Sequence, residues 1–488
     1  GSLTNNSGGT ISGTLTNNSG GSVSNAGSIT NAVNNSGTFG NTGTVSGDVT
    51  NTSTGTINNT TGTISGALAN SGTVNNSSAA TLSGATTNNA SGTITNAGLI
   101  NNTLANYGIA TNTGTISGTT INYSGGSLTN NSGGTISGTL TNNCGATVNN
   151  SGAITNNLVN AGTLTNTGSI SGALTNNTPC GVVNNTGTVS GTVVNNATFN
   201  NNASGTISGG ITNNATGTLT NFSLINNTLT NYGIAINSGT ISGATNNLSG
   251  GSLTNNSGAI ISGSLTNASG GTVANAGSIT NTISNSGILS NTGTISNSVT
   301  NAATGIINNT TGTISGALDN SGTINNSAAG TLSGTITNSS SGTVNNYGTI
   351  ANNVFNDGTL NLNGTIALSG NLTNNGTTNL NTTQNLTGNV INNGTISPVN
   401  SSTNFNIIGQ YTQNSGGNFI THIDGLSLGS YSQIISTQQI NITSGAIVTP
   451  VLNPTLKLNP GDVIPAVITS QNNTPPSNIG AVTVNNPV

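Results

Sequence analysis

Apolar side chains occur singly along most of this chain, separated by Thr, Ser, Asn and Gly. In a typical segment, Thr63-Ile64-Ser65-Gly66, one aliphatic residue lies between two hydroxyl residues and a glycine follows. An apolar residue every four to eight positions does not form the stripe of an amphipathic helix. The pattern predicts very short strands, each with its middle side chain pointing inward and both neighbours outward.

These apolar centres recur with a regular period. The aliphatic residue of the motif Thr-aliphatic-Ser-Gly and its variants falls at Ile11, Ile29, Val45, Ile64, Leu82, Ile100, Ile116 and Ile136. Each unit contains three apolar centres, which we predict to line the core. In the first four units these core residues are Ile11, Leu15, Val23, Ile29, Val33, Phe39, Val45, Val49, Ile57, Ile64, Leu68 and Val74.

A longer repeat is superimposed on this period. The octapeptide GSLTNNSG begins at Gly1, Gly126 and Gly251, so seven units form one block. The spacing predicts blocks at 1–125, 126–250 and 251–375, a degenerate fourth copy at 376–400 and a C-terminal cap at 401–488. The third block diverges near its end, where we expect Ile366 to keep the phase.

Three short strands and three corners in each unit predict an all-β chain folded as a parallel β-solenoid with a triangular cross-section. The length corresponds to about 27 coils. Asn and Gly between the centres suit corners, because both tolerate a left-handed backbone. One coil buries too little to be stable alone, so we expect Asn and Thr side-chain ladders along the corners to hold the coils together.

The composition excludes several kinds of function. The chain has one Lys or Arg, five Asp or Glu and one His, with a net charge of −4. Lys457 alone does not support nucleic-acid binding, which needs several cations. His422 and Asp424 are two positions apart, and we interpret them as a surface pair in the cap rather than a catalytic or metal site. We therefore predict no enzymatic activity, no cofactor and no metal.

The segments 409–425 (GQYTQNSGGNFITHIDG), 430–452 (SYSQIISTQQINITSGAIVTPVL) and 459–471 (NPGDVIPAVITSQ) resemble the end of autotransporter (type V secretion) passenger domains. The motif resemblance covers roughly residues 400–475, whereas the N-terminal part of the chain is similar only in architecture. It implies a secreted, right-handed β-helix whose C-terminal part folds first. The membrane-embedded barrel of that family does not follow before Val488.

The N-terminal residues show neither a signal peptide nor a transmembrane span. The chain begins in mid-pattern at Gly1, so we expect an upstream segment.

The two cysteines lie in the second block. Cys144 stands where the first block has Ser19, and Cys180 where it has Gly55. They are two coils apart on one edge, which is about 9.6 Å of rise and beyond the usual Cα separation of a disulfide. The coil between them is short at that edge, so the two longer loops could meet over it. Three alternatives stay open: a Cys144–Cys180 disulfide, two unpaired thiols, or a bond to a neighbouring molecule.

The pattern favours an extracellular structural protein on the bacterial surface. It would be the stalk or subunit of a self-assembling filament, with copies adding end to end through open coil edges. The alternative is an adhesin that binds glycans or cells. Ice binding is a third hypothesis, which the variable Thr, Ser and Asn flanks disfavour.

Overall fold

The computed structural model describes residues 1–364, 368–459 and 461–471, together with the strand Thr483–Val484. Ile366, Pro460 and most of 472–488 therefore lie outside the described residues. Everywhere the structure describes, the regular elements are strands, and no helix is present. The chain forms two compact units, Gly1–Gly243 and Ala244–Val488.

Strands of four, two and three residues alternate along the chain and form three sheets, called here the first, second and third sheet. The strands β1–β21 of the first block are, in chain order, Ser2–Asn5, Thr10–Ile11, Leu15–Asn17, Ser22–Asn25, Ser28–Ile29, Val33–Asn35, Thr38–Asn41, Thr44–Val45, Val49–Asn51, Thr56–Asn59, Thr63–Ile64, Leu68–Asn70, Thr73–Asn76, Thr81–Leu82, Thr86–Asn88, Thr93–Asn96, Leu99–Ile100, Leu104–Asn106, Ile109–Asn112, Thr115–Ile116 and Thr120–Asn122.

The later blocks repeat these bounds with few departures. Strands β22–β42 lie one block later in the numbering, except that β31 is Val182–Asn185, and β43–β61 lie two blocks later. The remaining strands β62–β75 are Leu368–Ser369, Leu372–Asn374, Thr377–Leu380, Gln384–Thr387, Val390–Asn392, Thr395–Pro398, Phe405–Ile408, Tyr411–Gln413, Asn418–Ile423, Ile434–Ser436, Ile440–Ile442, Ile447–Leu452, Ile468–Ser470 and Thr483–Val484.

Within each of the two compact units, successive strands of the same sheet pair in parallel, one coil after another. In the first sheet Leu3 pairs with Val23, which pairs with Phe39. In the third sheet Leu15 pairs with Val33 and Val33 with Val49. The three sheets hold 14, 14 and 13 strands in Gly1–Gly243. The predicted fold, a three-sided parallel β-solenoid with the predicted coil length, is therefore confirmed.

The predicted core residues lie on the inner side of these sheets. Eleven of the twelve are buried, from Leu15 at 8% exposure to Ile29 at 0%. Ile11, in the first coil, is only partly buried. The aliphatic side chains therefore form one inward column on each sheet.

The role expected for asparagine at the corners is wrong. Among the described residues, only Ser204 and Ala466 adopt a positive φ without being glycine. Asparagine instead ends the strands of the first and third sheets and points inward, as in β10, where Ile57 and Asn59 are both buried. Alternation along a strand causes this, because residues two apart share a face. A typical repeat coil therefore buries three apolar side chains and two asparagines, and in some coils a threonine such as Thr120 replaces the third-sheet apolar residue.

Glycine is required where the coils approach each other most closely. A Cβ atom at Gly37 would lie 2.3 Å from the carbonyl oxygen of Gly21 and 2.9 Å from Nδ2 of Asn17 in the preceding coil. At Gly8 the requirement is different, because its φ of 79° lies in the left-handed region. Glycine therefore marks both the tight contacts and the corners.

The C-terminal strands are longer and contain aromatic residues. Strands β70 and β73 have six residues each and pair in parallel along their full length. Phe405, Tyr411, Phe419 and Tyr431 are fully buried there.

The turns of this region are also longer. Val390, Tyr411 and Ile440 succeed one another in the third sheet, so each coil here takes more of the chain than a repeat coil does. The expected 27 coils are therefore too many. In the described part of Ala244–Val488 the three sheets hold 12, 11 and 11 strands.

Candidate functional site

The main interior feature is a pair of asparagine ladders, one at the end of the first sheet's strands and one at the end of the third sheet's. In Gly1–Gly243 the first-sheet ladder contains Asn5, Asn25, Asn41, Asn59, Asn76, Asn96, Asn112, Asn130, Asn150, Asn166, Asn185, Asn201, Asn221 and Asn237. The third-sheet ladder contains Asn17, Asn35, Asn51, Asn70, Asn88, Asn106, Asn122, Asn142, Asn160, Asn176, Asn195, Asn213 and Asn231.

Each ladder is a chain of side-chain hydrogen bonds that run in one direction. Asn17 donates from Nδ2 to Oδ1 of Asn35 at 2.7 Å, and Asn35 donates to Asn51 at 2.8 Å. The same Nδ2 of Asn35 also lies 3.0 Å from the carbonyl oxygen of Gly37 and 3.2 Å from that of Thr56. One amide thus joins its own corner to later coils. Buried amides satisfied in this way stabilise the stack, whereas unsatisfied ones would destabilise it.

In Ala244–Val488 the ladders are shorter. The first-sheet ladder runs from Asn255 to Asn346, after which Leu362 occupies the equivalent position and pairs with Asn346. The third-sheet ladder runs from Asn247 to Asn392. Buried Gln413 pairs with Asn392 in the third sheet and accepts a 2.6 Å hydrogen bond from the Tyr411 hydroxyl. Burial raises the pKa of Tyr411. The cap therefore replaces amide ladders with aromatic packing.

The structure joins Cys144 and Cys180 in a disulfide, with the Cα atoms 5.4 Å apart. The coil between them turns in two residues at this edge, between β27 and β28, and the cysteine loops meet across it. Alignment by sequence number placed Cys180 at the position of Gly55. Because this loop has one extra residue, Gly181 takes that place and β31 begins at Val182.

His422 and Asp424 lie at the end of β70 in the cap. Asp424 accepts hydrogen bonds from the Ser401 hydroxyl and from Nδ2 of Asn453 at 3.1 Å. These two bonds, and to a smaller extent the nearby His422, lower the pKa of the Asp424 carboxyl. Asp424 therefore connects three segments of the cap. No group of three His, Cys, Asp or Glu side chains that could hold a metal ion occurs within the described ranges.

The outer surface of the described residues consists mainly of small polar side chains, together with eighteen exposed large apolar ones. The Tyr107 and Tyr123 rings stack in adjacent coils, with centroids 4.2 Å apart and planes at 4°. Phe222 and Phe355 are 53% and 45% exposed. Of the lone charges, Asp48 accepts a hydrogen bond from the backbone N–H of Ala67 at 2.9 Å. Lys457 is exposed.

The buried ladders were missed as an interior feature. Their signal was present, since an asparagine follows the central apolar residue of almost every first-sheet and third-sheet strand by two positions. Reading that spacing as alternation, rather than as corner composition, would have placed these side chains inside.

Comparisons with known proteins add little. No family model matches the chain, and no curated protein matches it. A crystal structure of a TibA fragment, residues 55–350, hyper-glycosylated by TibC, is similar at 14% identity over 99% of each chain, with a TM-score of 0.12. At that TM-score the two chains share no common superposition, so nothing about this chain follows from the likeness. No helix in the described residues is long and apolar enough to cross a membrane.

Proposed function

We propose that this chain is an extracellular structural protein of a bacterial surface, acting as the stalk of a filament or appendage. The observation that carries the proposal is the pair of unbroken asparagine ladders inside Gly1–Gly243. No connection in that unit is longer than five residues, so the unit carries no large surface loop. A prism held by backbone and amide ladders is suited to spanning distance rather than to enclosing a substrate.

The direction of the ladders constrains what can stack on the first described coil. In the first coil Leu3 is 42% exposed, and Asn5 and Asn17 accept no ladder hydrogen bond from the described residues. A coil added there would have to supply two donor amides. The cap does not offer them, because Gln413 already donates from Nε2 to the carbonyl oxygens of Gly417 and Ile447. A coil that stacks on this face, whether from this chain or from another copy, therefore has to be of the repeat type.

Removal of one whole period tests the stalk. A chain lacking residues 126–250 should keep its β-sheet circular dichroism, and electron microscopy should show particles about 34 Å shorter, at ~4.8 Å per coil. A matched deletion of residues 126–242 ends in mid-coil and should disrupt folding. Equal damage by both deletions, or unchanged particle length, would contradict the proposal.

A second candidate function is adhesion. Exposed aromatic side chains on an otherwise small and polar surface favour it, since such residues are enriched at binding sites. Ice binding is not proposed, because Ile109, Val182 and Ile234 interrupt the outward hydroxyl row of the first sheet.

A further inference from the structure

The outer face of the third sheet changes character near residues 353–391. The outward position at the middle of its strands is occupied by Phe355, Thr373 and Ile391 in three successive coils. Phe355 is 45% exposed and Ile391 is 39% exposed. Both rise above the smaller Thr373 between them. Two large apolar side chains thus enclose a gap two coils wide, about 9.6 Å.

A groove of about 180 Å³ occupies this place. Its floor and ends are formed by Phe355, Thr373 and Ile391, and one side is formed by Asn353, Asn371 and Asn389. Every lining side chain is neutral. A neutral groove of this kind, with an aromatic side and a row of amides, selects for a ligand that has both an apolar face and many hydrogen-bonding groups.

The three amides of the groove are held in one orientation. The backbone N–H of Asn371 donates to Oδ1 of Asn353 at 2.8 Å, and that of Asn389 to Oδ1 of Asn371 at 2.8 Å. The N–H of Gln410 donates to Oδ1 of Asn389 at 2.9 Å. Oδ1 of each of the three asparagines therefore already accepts a hydrogen bond, whereas the Nδ2 groups have no hydrogen-bond partner among the described residues. The groove thus presents three Nδ2 donors, one per coil, at intervals of ~4.8 Å.

These residues are not needed to build a coil. At the place of Phe355 the first two blocks have Ala105 and Thr230, and at the place of Asn353 they have Thr103 and Thr228. Those coils form the same third-sheet strands in the same register. Oδ1 of each amide bonds the next coil, as Oδ1 of Asn157 bonds Ala173 in an ordinary coil, whereas the exposed Phe355 ring makes no such contribution. Departures of the second kind are expected at functional positions. The aromatic residue and the amides depart together, in one groove.

We propose that this groove binds a glycan. The exposed ring of Phe355 offers an aromatic face to the apolar C–H face of a sugar ring. The Nδ2 row of Asn353, Asn371 and Asn389 donates to hydroxyl and ring oxygens of successive sugar units. The site is on a preformed sheet face, so little ordering opposes binding. It rests on adhesion, the second of the proposed functions, and it is independent of the stalk.

The test is binding of the intact chain to immobilised neutral oligosaccharides built from glucose, galactose or N-acetylglucosamine, followed by titration of the best binder. Phe355→Thr, which installs the residue of the second block, should weaken binding at least tenfold. Asn371→Ala should weaken it several-fold. Phe222→Ser removes a phenyl ring of similar exposure outside the groove and should leave binding unchanged.

Each outcome is decisive for the groove. Absence of binding to every oligosaccharide, or full binding by Phe355→Thr, overturns the glycan site. A Phe355→Thr variant that loses only self-association, measured by analytical ultracentrifugation, shows that a second copy fills the groove and also overturns it. The period-deletion experiment reads particle length and is unaffected by Phe355→Thr, so failure of the glycan site and failure of the stalk are distinguished.

Discussion

Replacement of one ladder asparagine should open the solenoid locally. In Asn35→Ala the Cβ atom stays and the amide is lost. Nδ2 of Asn17 then loses its 2.7 Å acceptor, and Oδ1 of Asn51 loses its 2.8 Å donor. The carbonyl oxygens of Gly37 and Thr56 lose a donor as well. All of these groups lie at the inner corner of adjacent coils, where water does not readily replace the amide.

The expected cost follows from two polar groups that lose their ladder partner, one N–H of Asn17 and Oδ1 of Asn51, while Nδ2 of Asn17 keeps its 3.0 Å contact with the carbonyl oxygen of Thr38. A buried polar group without a partner costs about 1–3 kcal/mol, so Asn35→Ala should destabilise its coil by about 2–6 kcal/mol. Asn34→Ala is the matched control, because Asn34 is the preceding residue of the same strand and is exposed. Its replacement should cost less than about 0.5 kcal/mol.

Amide hydrogen exchange followed by mass spectrometry measures the local loss of stability in the coils around position 35. Peptides covering residues 33–56 should exchange at least about 30-fold faster in Asn35→Ala, which corresponds to about 2 kcal/mol. Peptides several coils away should change little, because each coil contacts only its neighbours. Equal exchange in Asn35→Ala and Asn34→Ala would refute the claim that the ladder stabilises the stack.

Three further perturbations test other parts of the structure. Loss of the disulfide, by reduction or by Cys144→Ser with Cys180→Ser, should lower the local free energy of unfolding by about 3–4 kcal/mol. This is the entropic free energy of closing a 36-residue loop in the unfolded chain, and resistance to proteinase K measures the loss. Thr120→Val should raise the midpoint of urea unfolding, because it removes a buried, unpaired hydroxyl whose burial costs about 1–3 kcal/mol. Thr86→Val is the control and should raise the midpoint less, because the Thr86 hydroxyl already donates to a carbonyl oxygen. Asp424→Asn should remove the acid sensitivity of the cap. Near-ultraviolet circular dichroism of the buried tyrosines in the cap measures unfolding as the pH is lowered.

The sign of the Asp424 effect follows from its hydrogen bonds. Because they lower the pKa of the folded carboxyl, its stabilisation is present above the unfolded pKa of about 3.9 and is lost as pH falls through the lowered folded value. Asp319→Asn, on the outward face of β54, is the control and should leave the cap unchanged. For the cysteine and threonine variants, unchanged protease resistance or a lower urea midpoint would contradict the reasoning.

Much of the fold could be predicted because its main determinants are local. One aliphatic residue between two hydroxyl residues, as at Ile64, specifies a short strand, and the spacing to the next centre specifies the coil. The position of Cys180 within its coil could not be predicted in this way. A single extra residue in its loop is compensated before β32, so the constant spacing of the blocks conceals the shift.

The inner amides and the groove were harder to predict for a different reason. In a chain this rich in asparagine, residue type alone does not separate buried Asn35 from exposed Asn34. The two differ only in the parity of their position along β6. The groove depends on Phe355 and Ile391, which are far apart in sequence and come to line one groove, two coils apart, only through the stacking of coils.

The one-way amide ladder also makes the coils interchangeable parts. Along the ladders each coil donates two amide N–H groups to the next coil and accepts two from the preceding one, whatever its outer residues are. Duplicating or excising whole coils therefore leaves each new junction satisfied without any compensating substitution. The reach of such a molecule can change in a single genetic step, while its exterior varies independently.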